Sequence, residues 1–484
     1  MIDRRTFLQC LAPAALLATS RQPQAGRRRN IILITVDDLG WSDLPSYGGD
    51  FHETPHLDRL AREGLRFTDA YASSPVCTPT RASILTGLHP ARLHMTIWRE
   101  AALNPPPPRA LQPPPAVADL PLSHVTIAEQ LRQAGYHTAH IGKWHVGGAA
   151  YYPETQGFDL NIGGTIWGAP PTYFAPYRGG RNPEQELRYI PGVPFAKPGE
   201  YLTDRLTDEA IRFMQSAADF PFFLNLAYYT VHTPMEGKPE YKQEFETKRD
   251  PAFHHQNVDY AAMLRSLDEN VGRLRAALQA LGLEQDTAVL FVSDNGGYIN
   301  RYKGQRVTSN YPLRSGKGSL YEGGIRVPLL MHVPGLTQPG TVCHEPVISM
   351  DLYPTILALA GINTSPCDGH DLVPLLRDPS SSLPRPCMTW HYPHYYPTWD
   401  VPEDEHITAP VSAIREGKWK LIHHYETQQN QLFDLEAGLG EELDCAGQYP
   451  DHTARLWAHL RQSLEAMAAR LPTRPAETAS DSGE

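Results

Sequence analysis

The chain is poor in cysteine and in positive charge, and it has no long apolar run. Six cysteines in 484 residues, at positions 10, 77, 343, 367, 387 and 445, are too sparse for a disulfide-built scaffold. No two of them have the Cys-x-x-Cys spacing of a zinc site. Lys and Arg number 43 against 54 Asp and Glu, a formal charge of −11. That balance gives no electrostatic footprint for nucleic acid and disfavours nonspecific binding to anionic membranes. No segment approaches the ~20 uninterrupted apolar residues of a spanning helix, so stable membrane insertion is not expected. Proline, by contrast, is in excess: 45 residues against a usual share of ~5% predict long ordered loops around the regular elements.

The N-terminus carries Arg4 and Arg5 ahead of a modest apolar stretch from Phe7 to Ala18. This has the form of a bacterial twin-arginine signal peptide over residues 1–25, which predicts a periplasmic or secreted mature protein. Residues 30–36 form a continuous apolar, β-branched run closed by Asp37 and Asp38, the pattern of a central strand covered on both faces. Similar runs at 222–228 and 287–292, and a more polar one at 136–141, alternate with amphipathic helical segments at 54–63, 125–134, 201–217 and 257–281. The alternation predicts an α/β fold with a large, mostly parallel sheet sandwiched by helices, in which ligands gather at the carboxyl ends of strands. After about Arg385 the pattern changes to short strands at 387–392, 411–415, 419–424 and 432–435, then a helix at 452–470. The expected organisation is therefore a catalytic domain over 28–384, a smaller C-terminal antiparallel sheet plus helix over 385–471, and a disordered tail over 472–484. The proline-rich stretch 104–116 reads as a surface spacer.

Polar residues just after strands carry the chemistry. The string Cys77-Thr78-Pro79-Thr80-Arg81-Ala82-Ser83-Ile84-Leu85-Thr86-Gly87 puts Cys77 at a helix entrance, with Arg81 one turn on and beside it. A reactive side chain, a fixed cation and free backbone N–H groups then share an anion site. Asp37 and Asp38 end one strand, and Asp294 and Asn295 follow another; four oxygen ligands suit a hard divalent cation. Lys143 and His145, in Gly142-Lys143-Trp144-His145, are two apart in what reads as extended chain and so point to one side. His232 lies in His232-Thr233-Pro234 after a strand, and Gly316 and Gly318 let the backbone turn tightly around Lys317. That glycine-lysine loop lacks the spacing of a nucleotide P-loop.

These segments, with Glu322-Gly323-Gly324-Ile325-Arg326, closely resemble the signatures of the sulfatase family, and the resemblance runs over nearly the whole mature chain. It implies an alkaline-phosphatase-like fold and a sulfuric ester hydrolase of arylsulfatase type. It makes Cys77 a precursor, oxidised by a formylglycine-generating maturation enzyme to an aldehyde whose hydrate is the nucleophile. It implies one calcium ion bound by Asp37, Asp38, Asp294, Asn295 and the modified side chain at 77. Arg81, Lys143, His232 and Lys317 would hold the sulfate, His232 or Lys317 would protonate the leaving oxygen, and His145 would remove the second hydroxyl proton of the hydrate. The stretch 162–168, which holds Trp167, with Tyr173, and Trp390-His391-Tyr392-Pro393-His394, resemble segments of bacterial sulfatases acting on sulfated galactose or N-acetylgalactosamine polysaccharides. The implied substrate is a small sulfate ester or sulfated saccharide, contacted by Trp167, His391 and His394. The same scaffold also serves phosphodiesterases and phosphonate monoester hydrolases, and a chain with unconverted Cys77 would be a noncatalytic binder of sulfated glycans. Cys343, Cys367, Cys387 and Cys445 allow three full pairings, among which the sequence does not choose.

Overall fold

Strand β1 (Asn30–Val36) is buried along its whole length, as an apolar run with no polar alternation requires. Its side chains alternate between two cores. Ile32 and Ile34 join Leu206, Tyr260 and Leu264 on one face, while Ile31 and Leu33 join Ala82, Ile127 and Ile356 on the other. The computed structural model describes residues 28–105, 109–179, 187–193, 196–397 and 409–475. The expected leader, residues 106–108 of the proline-rich stretch and residues 476–484 of the expected tail lie outside them.

Around β1 are β2 (Leu65–Phe67), β3 (His137–Gly142), β4 (Leu160–Ile162), β5 (Phe222–Ala227), β6 (Thr287–Ser293), β7 (Leu329–His332) and β8 (Thr341–Cys343). The eight strands lie in the order β8-β2-β7-β6-β1-β5-β3-β4. All pair in parallel except β7, which is antiparallel to both β2 and β6. Helices α1 (Pro55–Glu63), α2 (Cys77–Thr86), α3 (Ile127–Gln133), α4 (Leu202–Ser216), α5 (Val258–Ala280) and α6 (Leu352–Leu359) cover the two faces. The register matters for the site: Thr35 pairs with Ala227, Val36 with Ser293 and Gly142 with Ala227. The carboxyl ends of β1, β3, β5 and β6 therefore finish level, at one edge of the sheet.

Strands β9 (Met388–Tyr392), β10 (Val411–Glu416), β11 (Trp419–His424) and β12 (Gln429–Asp434) form an antiparallel sheet. One face of it carries Ile414, Leu421 and Leu432 against Leu456, Leu460 and Leu464 of α7 (Pro450–Ala466). The other face sets Trp390, Ile422 and Phe433 against Tyr71, Leu320 and Ile325 of the larger part. A buried ionic network crosses the same seam. Lys420 Nζ lies 2.8 Å from both Glu322 and Glu441, and Glu322 also accepts from Arg326 and from the Tyr71 hydroxyl.

Four expectations meet the structure here. Stretch 104–116 is no free spacer, because Gln112 and Thr473 exchange backbone hydrogen bonds of 2.7 and 3.0 Å and Leu111 is buried with Tyr395 and Tyr425. The same pairing holds the chain at Thr473, inside the stretch expected to be disordered. Cys343, Cys367, Cys387 and Cys445 are all free thiols. Among the described residues no helix is long and apolar enough to cross a membrane.

Replacing Lys420 with Met leaves Glu322 and Glu441 buried without their shared cation. Urea unfolding should show a loss of about 3–5 kcal/mol; a loss below about 1 kcal/mol would show that the seam does not depend on this charge.

Candidate active site

The level strand ends bring Asp37, Asp38, Asp294 and Asn295 together, and all four are almost wholly buried. Helix α2 meets them with its N-terminus, Cys77 being its first residue and Val76 its extended cap. All ten residues of α2 are buried, so the helix is a wall of the core. The side-chain ligand atoms of Asp37, Asp38, Cys77 and Asp294 all lie within 4.8 Å of one another.

Three cations face these carboxylates. Lys143 Nζ donates to both oxygens of Asp37, at 2.8 and 2.7 Å. Arg81 Nε donates to Asp294 at 2.8 Å and its Nη1 to the Lys143 carbonyl at 2.9 Å. Lys317 Nζ lies 2.6 Å from Asp38 Oδ1, and His232 Nε2 lies 3.6 Å from Asp38 Oδ2. Burial alone would raise the Asp38 carboxyl, but Lys317, His232 and Lys143 hold it well below the ordinary range. For Asp37, burial and the neighbouring carboxylates win over Lys143, and its carboxyl is pushed up. Burial pushes the Cys77 thiol up to about 12, so it stays protonated at neutral pH.

The donor set fits a hard cation. Three carboxylates are crowded at one point, and Asn295, which gives its Nδ2 to Asp38 at 2.8 Å, keeps a buried Oδ1 with no hydrogen-bond partner. An orphaned amide oxygen facing carboxylates is a costly arrangement that an oxygen-ligated divalent ion would relieve.

Above this cluster opens a cavity of about 890 Å³, with Asp38, Cys77, His145, His232 and Lys317 among its lining residues. Arg81 and Lys143 do not line it: they are buried beneath, spent on Asp294 and Asp37. Both were expected to hold the sulfate; Arg81 keeps a buried Nη2 with no hydrogen-bond partner. Nor is His145 placed by extended-chain alternation. Strand β3 ends at Gly142, with φ 106° and room only for hydrogen, since a Cβ there would come within 1.9 Å of the Ala227 carbonyl. His145 itself has φ 60°, and its carbonyl accepts from Thr78 Oγ1 of α2 at 2.8 Å.

The His145 ring is clamped. Its Nε2 lies 2.7 Å from Glu100 Oε2, Gly168 presses on it so closely that a Cβ would lie 2.4 Å from the ring, and its buried Nδ1 has no partner. Burial outweighs the Glu100 carboxylate and holds the imidazole below its ordinary pKa. A neutral ring that donates Nε2–H to Glu100 presents a free lone pair at Nδ1. Glu100 escaped sequence reasoning because it comes from a separate turn of helix (Arg99–Leu103) with no motif around it.

The three residues expected to contact sugar do not line the cavity. His391 is buried, its ring nitrogens 2.7 Å from Ser412 Oγ and 3.0 Å from the Arg470 carbonyl. His394 is buried with Nε2 2.8 Å from Thr96 Oγ1. Trp167 is buried edge-on against Tyr189, and it is the following Gly168 that reaches the wall. An aromatic-rich string thus served packing; the cavity takes its rings from Trp98, Tyr298, Tyr302 and Tyr396.

The sulfatase family model matches residues 29–362. The chain belongs to the sulfatase family. A second model, N-sulphoglucosamine sulphohydrolase, C-terminal, matches residues 316–470 of this sulfatase. Human arylsulfatase A is 36% identical, over 88% of this chain and 79% of that one. N-acetylgalactosamine-6-sulfatase of Canis lupus familiaris is 34% identical, over 75% and 68%. The crystal structure of Ps i-CgsB in complex with k-i-k-neocarrahexaose matches with a TM-score of 0.73 and 28% identity, over 90% of this chain and 93% of that one.

The Glu100 contact makes a testable difference in this sulfatase. Glu100→Gln should lower kcat on an aryl sulfate about tenfold with little change in KM, measured by steady-state kinetics; wild-type kcat would show that the clamp on His145 is idle.

Proposed function

We propose that this sulfatase removes sulfate from sulfated sugars of the galactose or N-acetylgalactosamine type, using a formylglycine made from Cys77 and one calcium ion. The observation that carries the reading is the place of Cys77: it opens α2, touches Asp37 at 3.4 Å and lines the cavity, yet its thiol is held protonated. A protonated buried thiol is a poor nucleophile. Conversion to formylglycine would supply an attacking hydroxyl in its place. Asp37, Asp38, Asp294 and Asn295, with residue 77, would hold the calcium, whose charge gathers sulfate oxygens and lowers the pKa of a nearby hydroxyl.

The chain's own residues divide the remaining work. Lys317 and His232 face the cavity and bind sulfate oxygens. His232 is depressed to about 3 by burial and by Lys317 and Lys143, and its Nδ1 bonds the Thr233 carbonyl at 2.9 Å. Lys317 is raised well above the ordinary range, Asp38 overcoming burial, so it stays cationic beside the sulfate, and His232 or Lys317 would give the leaving oxygen its proton. His145 accepts a proton at Nδ1. Arg81 and Lys143 neutralise Asp294 and Asp37 from below.

The carbohydrate reading is supported by the similarity to N-acetylgalactosamine-6-sulfatase and to a structure that holds an oligosaccharide. A cavity lined by Trp98, Tyr298, Tyr302 and Tyr396 offers stacking faces for sugar rings. Residues 28–384 would form the catalytic domain and 385–471 the subdomain that roofs it through Tyr396. Residues 1–25 would export the protein to the periplasm or beyond. Only 3% of Cys77 is exposed in the folded chain, so the formylglycine-generating enzyme would have to meet it before folding is complete.

A peptide mass across residue 77 should be ~18 Da lower than the cysteine form, the difference between thiol and aldehyde groups. Cys77→Ser and Cys77→Ala should both lose multiple turnover on aryl sulfate; normal turnover by either purified variant would sink the proposal. Removing calcium with a chelator should abolish turnover and lower Tm, both restored by calcium; a chelated enzyme with unchanged Tm and rate would exclude a bound ion.

A further inference from the structure

Two short antiparallel strand pairs form part of the wall of the cavity. In one, Arg178 and Gly179 pair with Tyr189 and Arg188; in the other, Arg301 and Tyr302 pair with Arg306 and Gln305. They place Arg188, Arg301 and Lys303 on the cavity lining. Of the acidic groups that line the cavity, Asp38 is charge-matched by Lys317 at 2.6 Å, while Glu100 meets only the neutral His145 ring, at 2.7 Å. The three cations are unmatched: among the described residues none has a carboxylate partner. Arg301 donates to the Gly304 carbonyl at 3.0 Å, and Lys303 Nζ lies 5.3 Å from the Tyr302 ring centroid.

A chain with a formal charge of −11 thus gathers three uncompensated cations at one cavity. The turn at the hairpin tip points the same way. Lys303 has φ 51° and Gly304 φ 81°, a two-residue turn with both positions left-handed, where Asn, Asp or Gly is the usual first residue. A lysine held there at a conformational cost is a reason to look for what its charge meets. The tip also stands between two spaces, since Tyr302 and Lys303 line a second cavity of about 400 Å³ together with Glu236, Lys242 and Asp259, where Asp259 is taken by Lys242 at 2.8 Å.

We infer that Arg188, Arg301 and Lys303 form a second anion site, and that the preferred substrate carries another anionic group beside the sulfate ester to be cut. That group is a second sulfate or a uronate carboxylate on the same or the adjoining sugar. The inference rests on the carbohydrate reading above and narrows it to polyanionic saccharides. Simple steering by the same charges is the rival account: it favours any dianion over the monosulfate by its charge alone, and so favours the disulfate and the uronate-bearing substrate alike, where a site prefers one of them.

The test compares kcat/KM for a galactose or N-acetylgalactosamine monosulfate, a matched disulfate and a matched uronate-bearing monosulfated disaccharide. Wild type, Arg188→Gln, Arg301→Gln and Lys303→Gln are each measured at low and high NaCl. At low salt the wild type should prefer one dianionic substrate over the monosulfate by about tenfold, with the preference shrinking as salt is added. Each variant should reduce that ratio about threefold, and whichever dianion loses identifies the group. A ratio unchanged in all three variants, an equal fall on every substrate, or an equal preference for the two dianions would overturn the inference. Release of sulfate from aryl sulfate but from no sugar would overturn the carbohydrate reading itself.

Discussion

Three carboxylates taken out of water at one point set the terms for the rest of this structure. Parallel pairing of β1 with β6 ends both strands level, so Asp37, Asp38 and Asp294 converge whether or not charge favours it. Buried carboxylates without compensation would be prohibitive. The fold supplies Arg81 from α2, Lys143 from the turn after β3 and Lys317 from a glycine-flanked loop, one against each. The first of these comes from a helix buried on every side, and the second follows a glycine whose place no Cβ could take, 1.9 Å from the Ala227 carbonyl. The proposed calcium would also give the unpartnered Asn295 oxygen a partner.

The cations then separate by depth. Arg81 and Lys143 are committed to the floor, where they fix the carboxylates, while Lys317, His232 and His145 reach the cavity. The smaller sheet completes the enclosure. Gly318, at φ 89°, lies so near Tyr396 that a Cβ would meet its ring at 2.3 Å, which ties the lysine loop to the cover above it. The network around Glu322, Lys420 and Glu441 anchors that cover through residues that directly follow the lysine loop in sequence. The Lys317 loop and the cover above it are therefore positioned by the same segment, 316–326.

Much of this was legible in the sequence, for a physical reason. Apolar runs such as 30–36 and 287–292 have one stable use, as central strands, and the strands end within a residue of them. The motifs at 77–87, 142–145, 232–234 and 316–326 marked the cluster because each follows a strand or opens a helix. Strand β12 was called three residues late because its first residues, Gln429, Asn430 and Gln431, are polar and partly exposed. What stayed illegible depended on partners distant in the chain. Nothing local distinguishes His391, satisfied by Ser412 and Arg470, from a ligand histidine, and nothing local links Glu100 to His145 or Lys143 to Asp37. Even the charge balance misled in part, since an acidic chain hides a basic cavity wall.

The central claim is that the strand-end carboxylates and Asn295 hold a cation beside a converted residue 77. A crystal structure of the mature, calcium-supplemented enzyme at high resolution tests it most directly. The account predicts an ion ligated by Asp37, Asp38, Asp294 and Asn295, with an oxygen-bearing side chain at position 77. A cysteine thiol at 77, with Asn295 Oδ1 turned to a water and no ion among the carboxylates, would contradict it.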